Sequence, residues 1–304
     1  MDNTHWKPIQ RKDVDAKTLK VINGFIDETP NLPVHVHKLL QIVSDSDTGS
    51  LEVAQAASAD PGLVTKILKV INSSYYGLSH KTDNIHFAIV LLGFNEVRKI
   101  ALETCLSTMF REGKSYGGYD TSGLWEHSYL VSICAEAIGQ SLEYNQTGEL
   151  ITFGMLHDIG KNMLFKLAVI MKKKGIAPHQ QVQENELSCL SEKEEALFGI
   201  NHAVTGGMLA EKWDLSERIC TILEYHHHPS FWGIDSIPSD YLNDIAMISI
   251  SDAIISHIEG EVKHPEPPPE FFEALGLTPP LEKCLTTELL EKIEEAKRFA
   301  KTVR

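Results

Sequence analysis

The chain of 304 residues carries 28 Lys and Arg against 42 Asp and Glu, a formal net charge of −14. That balance argues against sequence-independent binding to nucleic acid or to an anionic membrane, both of which need a basic face. The start, Met1 to Lys7, lacks the apolar run of a secretory leader, and no later run is as long as a membrane span, so a soluble cytoplasmic protein is expected.

Residues 1–18 read as a polar extension, and an apolar pattern from Leu19 to Phe25 predicts a first helix. Thr29-Pro30-Asn31-Leu32-Pro33 breaks it, since proline restricts both itself and the residue before it. Val36, Leu39, Leu40 and Val43 predict the next helix. Asp60-Pro61 is a helix start with an N-cap acceptor and a proline at the first position, and Leu63, Ile67, Leu68 and Ile71 supply the buried face. Asn72-Ser-Ser-Tyr-Tyr-Gly77 reads as a loop. A helix from Asn84 to Leu92 closes at Gly93, and another runs on through Met109. Alternating strand patterns are nearly absent, so the expected class is all-α.

The segment Gly113 to Gly123, polar and rich in glycine, reads as a linker between two helical lobes, 19–112 and 113–260. In the second lobe His127, Val131, Cys134, Ala135 and Ile138 share one helical stripe. The stretch Met155-Leu156-His157-Asp158-Ile159-Gly160-Lys161 continues a helical face from Leu150 and Phe153 to Leu164, which turns an imidazole and a carboxylate inward. Ser191 and Glu194 read as a capping box for a helix reaching Phe198. Asn201 caps a further helix with His202 in its first turn. Ile219, Ile222, Leu223 and His226 form the next stripe, flanked by His227, and Ile245, Ile248, Asp252 and Ile255 line a late helix. Within 261–304, Pro265 to Glu270 reads as a stiff extended spacer. Leu289, Leu290, Ile293, Ala296 and Phe299 then make an amphipathic terminal helix, for docking onto the core or onto a partner.

A buried ionised aspartate costs several kcal/mol unless positive charge lies against it. Taken alone, His157-Asp158 reads either as a hydrogen-bonded core pair or as two metal ligands. His127, His157, Asp158, His202, His226, His227 and Asp252 all fall on inward faces of separate helices, however. Neutral imidazole and carboxylate suit iron, manganese, zinc or similar ions, and seven such groups could serve two ions bridged by one carboxylate. The five cysteines, Cys105, Cys134, Cys189, Cys220 and Cys284, are scattered without a Cys-x-x-Cys pair and read as reduced, mostly buried thiols.

The order His127, His157-Asp158, Asp252 resembles the HD phosphohydrolase superfamily, and His202 with His226-His227 resembles the extra ligands of its dinuclear members, including HD-GYP proteins. The N-terminal lobe, through Leu32-Pro33, Asp60-Pro61, Asn72 to Gly77, Ala88-Ile89 and Leu92-Gly93, resembles HDOD, the HD-related output domain of bacterial signalling. Trp125, Ser128, Ala203, Trp213 and Pro229 continue that likeness over about residues 20 to 256. The resemblance implies a two-lobed helical bundle with one or two divalent transition metals, iron or manganese first and zinc or nickel next. It implies that His127, His157, Asp158 and Asp252 hold one ion and that His202, His226 and His227 hold another, with Asp158 bridging. For an enzyme it implies that two cations activate a water to attack phosphorus while Lys161 faces a phosphate oxygen, making Asp158 and Lys161 the catalytic candidates.

Two departures qualify that likeness. His228-Pro229-Ser230 follows His226-His227 where cyclic-di-GMP phosphodiesterases carry Gly-Tyr-Pro, and Gly123 stands where some relatives place a carboxylate for a third ion. HDOD proteins as a family are chiefly regulatory modules. The expected function is therefore bacterial signal transduction through unidentified protein partners, with a metal-dependent phosphohydrolase acting on a nucleotide or other phosphorylated molecule as the alternative. His228 is expected at the surface.

Overall fold

The structure, a computed structural model, describes residues 6–42, 48–109, 123–180, 189–261 and 266–303. Those residues form α-helices and short 3-10 turns, and no strand occurs among them. Val43 and the glycine-rich segment as far as residue 122 lie outside the described residues.

Helix α1 (Ala16–Glu28) starts at Asp15, whose carboxylate accepts from the backbone N–H groups of Lys17 and Thr18. It is followed by α2 (Val34–Ile42), α3 (Ser50–Ala57), α4 (Pro61–Ile71), α5 (Ile85–Leu92) and α6 (Phe94–Met109). The expected cap at Asp60 is present, its carboxylate accepting from the N–H groups of Gly62 and Leu63, and Asn84, expected only as a helix start, accepts from the N–H of Phe87. No expectation covered α3, because its buried face is Val53 with three alanines, too small to write a strong period. Leu39, Leu63, Ile67, Ile89 and Leu102 fill the space between α2 and α6.

The second group is α7 (Leu124–Ser141), α8 (Thr147–Leu156), α9 (Ile159–Lys174), α10 (Leu190–Phe198), α11 (His202–Lys212), α12 (Glu217–Tyr225), α13 (Pro229–Trp232) and α14 (Leu242–Glu259). Here α7 lies against both α8 and α14, while α11 lies between α9 and α12. Contact of α6 with α8 makes one continuous apolar core of the two groups. Helix α1 packs on α9 and α11, and the Lys212 ammonium donates to the carbonyls of Ile26, Asp27 and Thr29 at its end.

Three local expectations are corrected. The helix expected to run through His157 and Asp158 breaks there: His157 ends α8 and Asp158 precedes α9. Ser191 and Glu194 are not a capping box. Helix α10 starts two residues earlier than a cap at Ser191 requires, at Leu190, without a side-chain cap, and Glu194 turns to His202 instead. The proline run is not wholly extended, because Pro269 is the first residue of α15 (Pro269–Ala274), a position where a missing N–H costs no hydrogen bond.

The terminal helix α16 (Thr287–Val303) docks on α7, burying Leu289, Ile293, Ala296 and Phe299, while Leu290 stays 38% exposed. All five cysteines are free thiols, four of them buried. No helix among the described residues is long and apolar enough to cross a membrane.

Candidate metal centre

Six helices bring the expected residues together. His127 sits in the first turn of α7, His157 and Asp158 occupy the break between α8 and α9, His202 opens α11, His226 and His227 follow α12, and Asp252 lies within α14. Two glycines allow the close approach this needs. A Cβ on Gly154 would lie 2.6 Å from the Ser132 backbone of α7, and one on Gly160 would run into the His202 carbonyl of α11.

The two carboxylates face both ways. Asp158 Oδ2 lies 3.3 Å from His157 Nε2 and 3.8 Å from His127 Nε2, while its Oδ1 lies 3.3 Å from His202 Nε2 and 4.0 Å from His226 Nε2. Asp252 Oδ1 lies 3.0 Å from His127 Nε2 and 3.7 Å from His157 Nε2, and its Oδ2 lies 3.8 Å from His227 Nε2. Metal–ligand bonds of about 2.1 Å give ligand–ligand edges of roughly 3.0 Å in an octahedron and roughly 3.4 Å in a tetrahedron. Three of the seven observed spacings, 3.0, 3.3 and 3.3 Å, are close to those edges, and the other four are 3.7–4.0 Å. Three overlapping groups have donor atoms all within 4.8 Å of one another: Asp158 with His202, His226 and His227; His127 with His157 and Asp158; and His157 with His226 and Asp252.

The rings are already oriented for this role. His157 Nδ1–H donates to the Gly154 carbonyl at 2.8 Å, and His226 Nδ1–H donates to the Leu223 carbonyl at 2.7 Å. His202 Nδ1–H donates to Glu194 at 2.6 Å and His127 Nδ1–H to Glu259 at 2.8 Å. Carbonyls and carboxylates only accept, so Nδ1 carries the proton in each case and Nε2 is the inward atom. The Nε2 atoms of His157, His202 and His226 and Oδ1 of Asp158 are buried without a hydrogen-bond partner in the protein. Buried polar atoms are rarely left so, and four around one point fit a divalent cation.

Electrostatics agree with that arrangement. Burial would raise the Asp158 pKa, but His157 and Lys161 hold its carboxyl well below the usual range. Burial would also strip protons from His127 and His157, yet Asp252 and Glu259 raise the first to about 10, and Asp158 with Asp252 raises the second to about 9. His226 goes the opposite way, to about 3, through burial and the neighbouring His157 and His202. The carboxylates thus draw positive charge into a dry pocket, as protons on two imidazoles or as metal.

Lys161 is ion-paired: its ammonium donates to Asp158 Oδ2 at 2.5 Å. His228 corrects an expectation, being only 3% exposed beneath α13, with its ring stacked on Trp232 and its pKa lowered by burial to about 4. It belongs to none of the three donor groups. Two carboxylates of the site lie outside the expected set. The sequence pattern makes Glu194 a helix cap, and Glu259 stands seven residues after Asp252, two turns along the same face of α14, a spacing that signals it.

The sequence profile of the HDOD domain matches residues 29–229. An uncharacterised protein of Treponema pallidum is 21% identical over 300 residues, covering 95% of this chain, which spans only 54% of that protein's length. Among solved structures, an HDOD domain protein of unknown function from Geobacter sulfurreducens superposes with a TM-score of 0.68 at 22% identity, covering 95% of this chain and 99% of its own. A candidate phosphohydrolase from Shewanella amazonensis superposes with a TM-score of 0.63 at 18% identity, covering 93% and 98%. At these identities the likeness establishes the fold.

Proposed function

We propose, from the premise that this chain belongs to the HDOD domain family, that it is a bacterial regulatory protein built around a metal-loaded His/Asp centre and acting mainly through contacts with other proteins. The observation that carries the metal is the set of buried, unpartnered Nε2 atoms aimed at Asp158, each ring held from behind through Nδ1. His127, His157, Asp158 and Asp252 would hold one ion. His202, His226 and His227 would hold the second, with Asp158 bridging. Iron or manganese suits this donor set best, zinc or nickel next.

The regulatory reading rests on enclosure. His157, His202 and His226 are at most 1% exposed, and α13 begins two residues after His227, where related phosphodiesterases carry Gly-Tyr-Pro. One observation favours the alternative, a metal-dependent phosphohydrolase: the Lys161 ammonium lies beside the bridging carboxylate, on the side where His127 and Glu259 are 12% and 30% exposed. Bound divalent cations would supply Lewis acidity and positive charge to a phosphoryl group. Lys161 would then orient an anionic oxygen, and Glu259 would keep His127 in its tautomer. The candidate phosphohydrolase named among the structural relatives is consistent with that chemistry.

Metal analysis of the purified chain should find about one or two equivalents of transition metal, lost in Asp158→Ala. Metal-free wild type after growth in supplemented medium would sink the assignment. The loaded protein, offered a panel of phosphomonoesters and cyclic dinucleotides, should show no turnover above its metal-free control. Turnover that vanishes in Asp158→Ala would replace the regulatory reading with the enzymatic one.

A further inference from the structure

Arg218 stands in the first turn of α12, two turns from the imidazoles, and ties that helix to α8 and α14. Its Nε donates to Asp244 Oδ2 at 2.7 Å and its Nη2 to Asp244 Oδ1 at 2.8 Å, a bidentate fork onto the first turn of α14. Nη1 donates to Glu149 in the first turn of α8. Tyr144, in the turn after α7, completes the cluster: its hydroxyl donates to Asp244 Oδ1 at 2.7 Å and accepts from Nη2 at 3.3 Å. The guanidinium also lies over the Phe153 ring of α8, 5.2 Å from its centroid.

The distance along the chain from this cluster to the metal centre is the same on each helix. Glu149 precedes His157 by eight residues, Arg218 precedes His226 by eight, and Asp244 precedes Asp252 by eight. Eight helical residues rise about 12 Å. At the far end His157 lies 5.3 Å ring to ring from His226, and its Nε2 lies 3.7 Å from Asp252 Oδ1. Three segments that meet at both ends over equal lengths run side by side in one direction, and α8, α12 and α14 are mutual neighbours. Phe153, Ile222, Leu223 and Ile248, all buried, fill the layer between the two ends. Apolar attraction is non-directional, whereas a planar fork takes a carboxylate in one geometry. Register matters here, because a slip of one residue moves a ligand by about 1.5 Å, most of a metal–ligand bond of about 2.1 Å.

We propose that Arg218 is a positioning residue for the metal centre: by holding Glu149 and Asp244 it sets the register of α8, α12 and α14, and with it the separation of His157, His226 and Asp252. This inference rests on the metal reading above. It places control of the centre in a charge cluster outside the ligand set.

The test is a chelator competition with cobalt(II), whose visible spectrum reports coordination geometry, on the full chain and its variants well below their melting temperatures. Arg218→Met should bind cobalt about tenfold more weakly, the low end for an outer support, with a shifted visible band. Arg218→Lys, which restores the charge without the fork, should recover part of both. If Arg218→Met does not melt cooperatively, Glu149→Gln takes its place, a milder change because Glu149 is 30% exposed, with a severalfold weakening expected. Leu63→Ala, a core truncation in α4, lowers the melting temperature without touching the cluster and should keep the affinity and spectrum of the wild type. A wild type that takes up no cobalt would overturn the metal reading and this inference with it. A wild type that binds, beside Arg218 and Glu149 variants of equal affinity and unchanged spectrum, would overturn the positioning role and leave the metal reading standing. Equal weakening in Leu63→Ala would reduce Arg218 to general stability and overturn the role as well.

Discussion

Glu194 is fully buried, yet its carboxylate has a job no helix cap would give it: one oxygen accepts from both the backbone N–H and the Nδ1–H of His202. Supporting acceptors of this kind fix ring orientation and typically carry about 10–100-fold in metal affinity. Glu194→Gln should weaken metal binding by that order, and a competition assay with a chromophoric chelator reads it directly. Protonation sets a second expectation. In the metal-free protein the pKa values of His127 and His157 are raised to about 10 and about 9, so both rings are charged at neutral pH and must lose protons before Nε2 can coordinate. Apparent affinity should therefore rise with pH until those values are passed, by at most about two decades per pH unit for two protons. Proton release on loading, compared in buffers of different ionisation enthalpy, checks the sign; affinity flat between pH 6 and pH 8 would contradict it.

At the scale of elements, the centre depends on how closely α9 can lie against α11. Gly160 is where their backbones touch, with Gly206 of α11 facing it. Gly160→Ala places a methyl against backbone rather than against a movable side chain, so the helices must separate. A loss on the order of 2–4 kcal/mol is expected in chemical denaturation, together with weaker metal binding, because His202 moves with α11. Gly206→Ala should be milder, since its nearest contact would be 3.4 Å away. The break between α8 and α9 matters as well. Asp158 does not cap α9 with its side chain, and its carboxylate is instead shared between Lys161 and the imidazoles.

For the whole molecule, the four anchored rings and the continuous apolar core separate two questions, what could hold a metal and what holds the fold. The core runs from Val14 to Ala300 through both helical groups, so the fold is expected to hold without an ion. A chelated sample should still unfold cooperatively. Loading should raise the melting temperature by an amount that grows with metal concentration, as expected for a ligand that binds only the folded state, and Asp158→Ala should show no such rise. Loss of cooperative unfolding on chelation would show the centre to be structural.

By itself the sequence determined the helical class, the caps at Asp60 and Asn201, and the inward turn of every proposed ligand, because those properties reside in local periodicity and capping chemistry. It could also suggest, through a matching order of residues, that the ligands belong together. Only the tertiary structure decided that Glu194 supports a histidine rather than a helix end, that His228 is buried, that α8 and α9 are separate helices, and that Lys161 is paired. Each of these depends on a neighbour many residues away or on a close backbone contact. The sequence pattern reports which face of a helix turns inward, but not what it meets there.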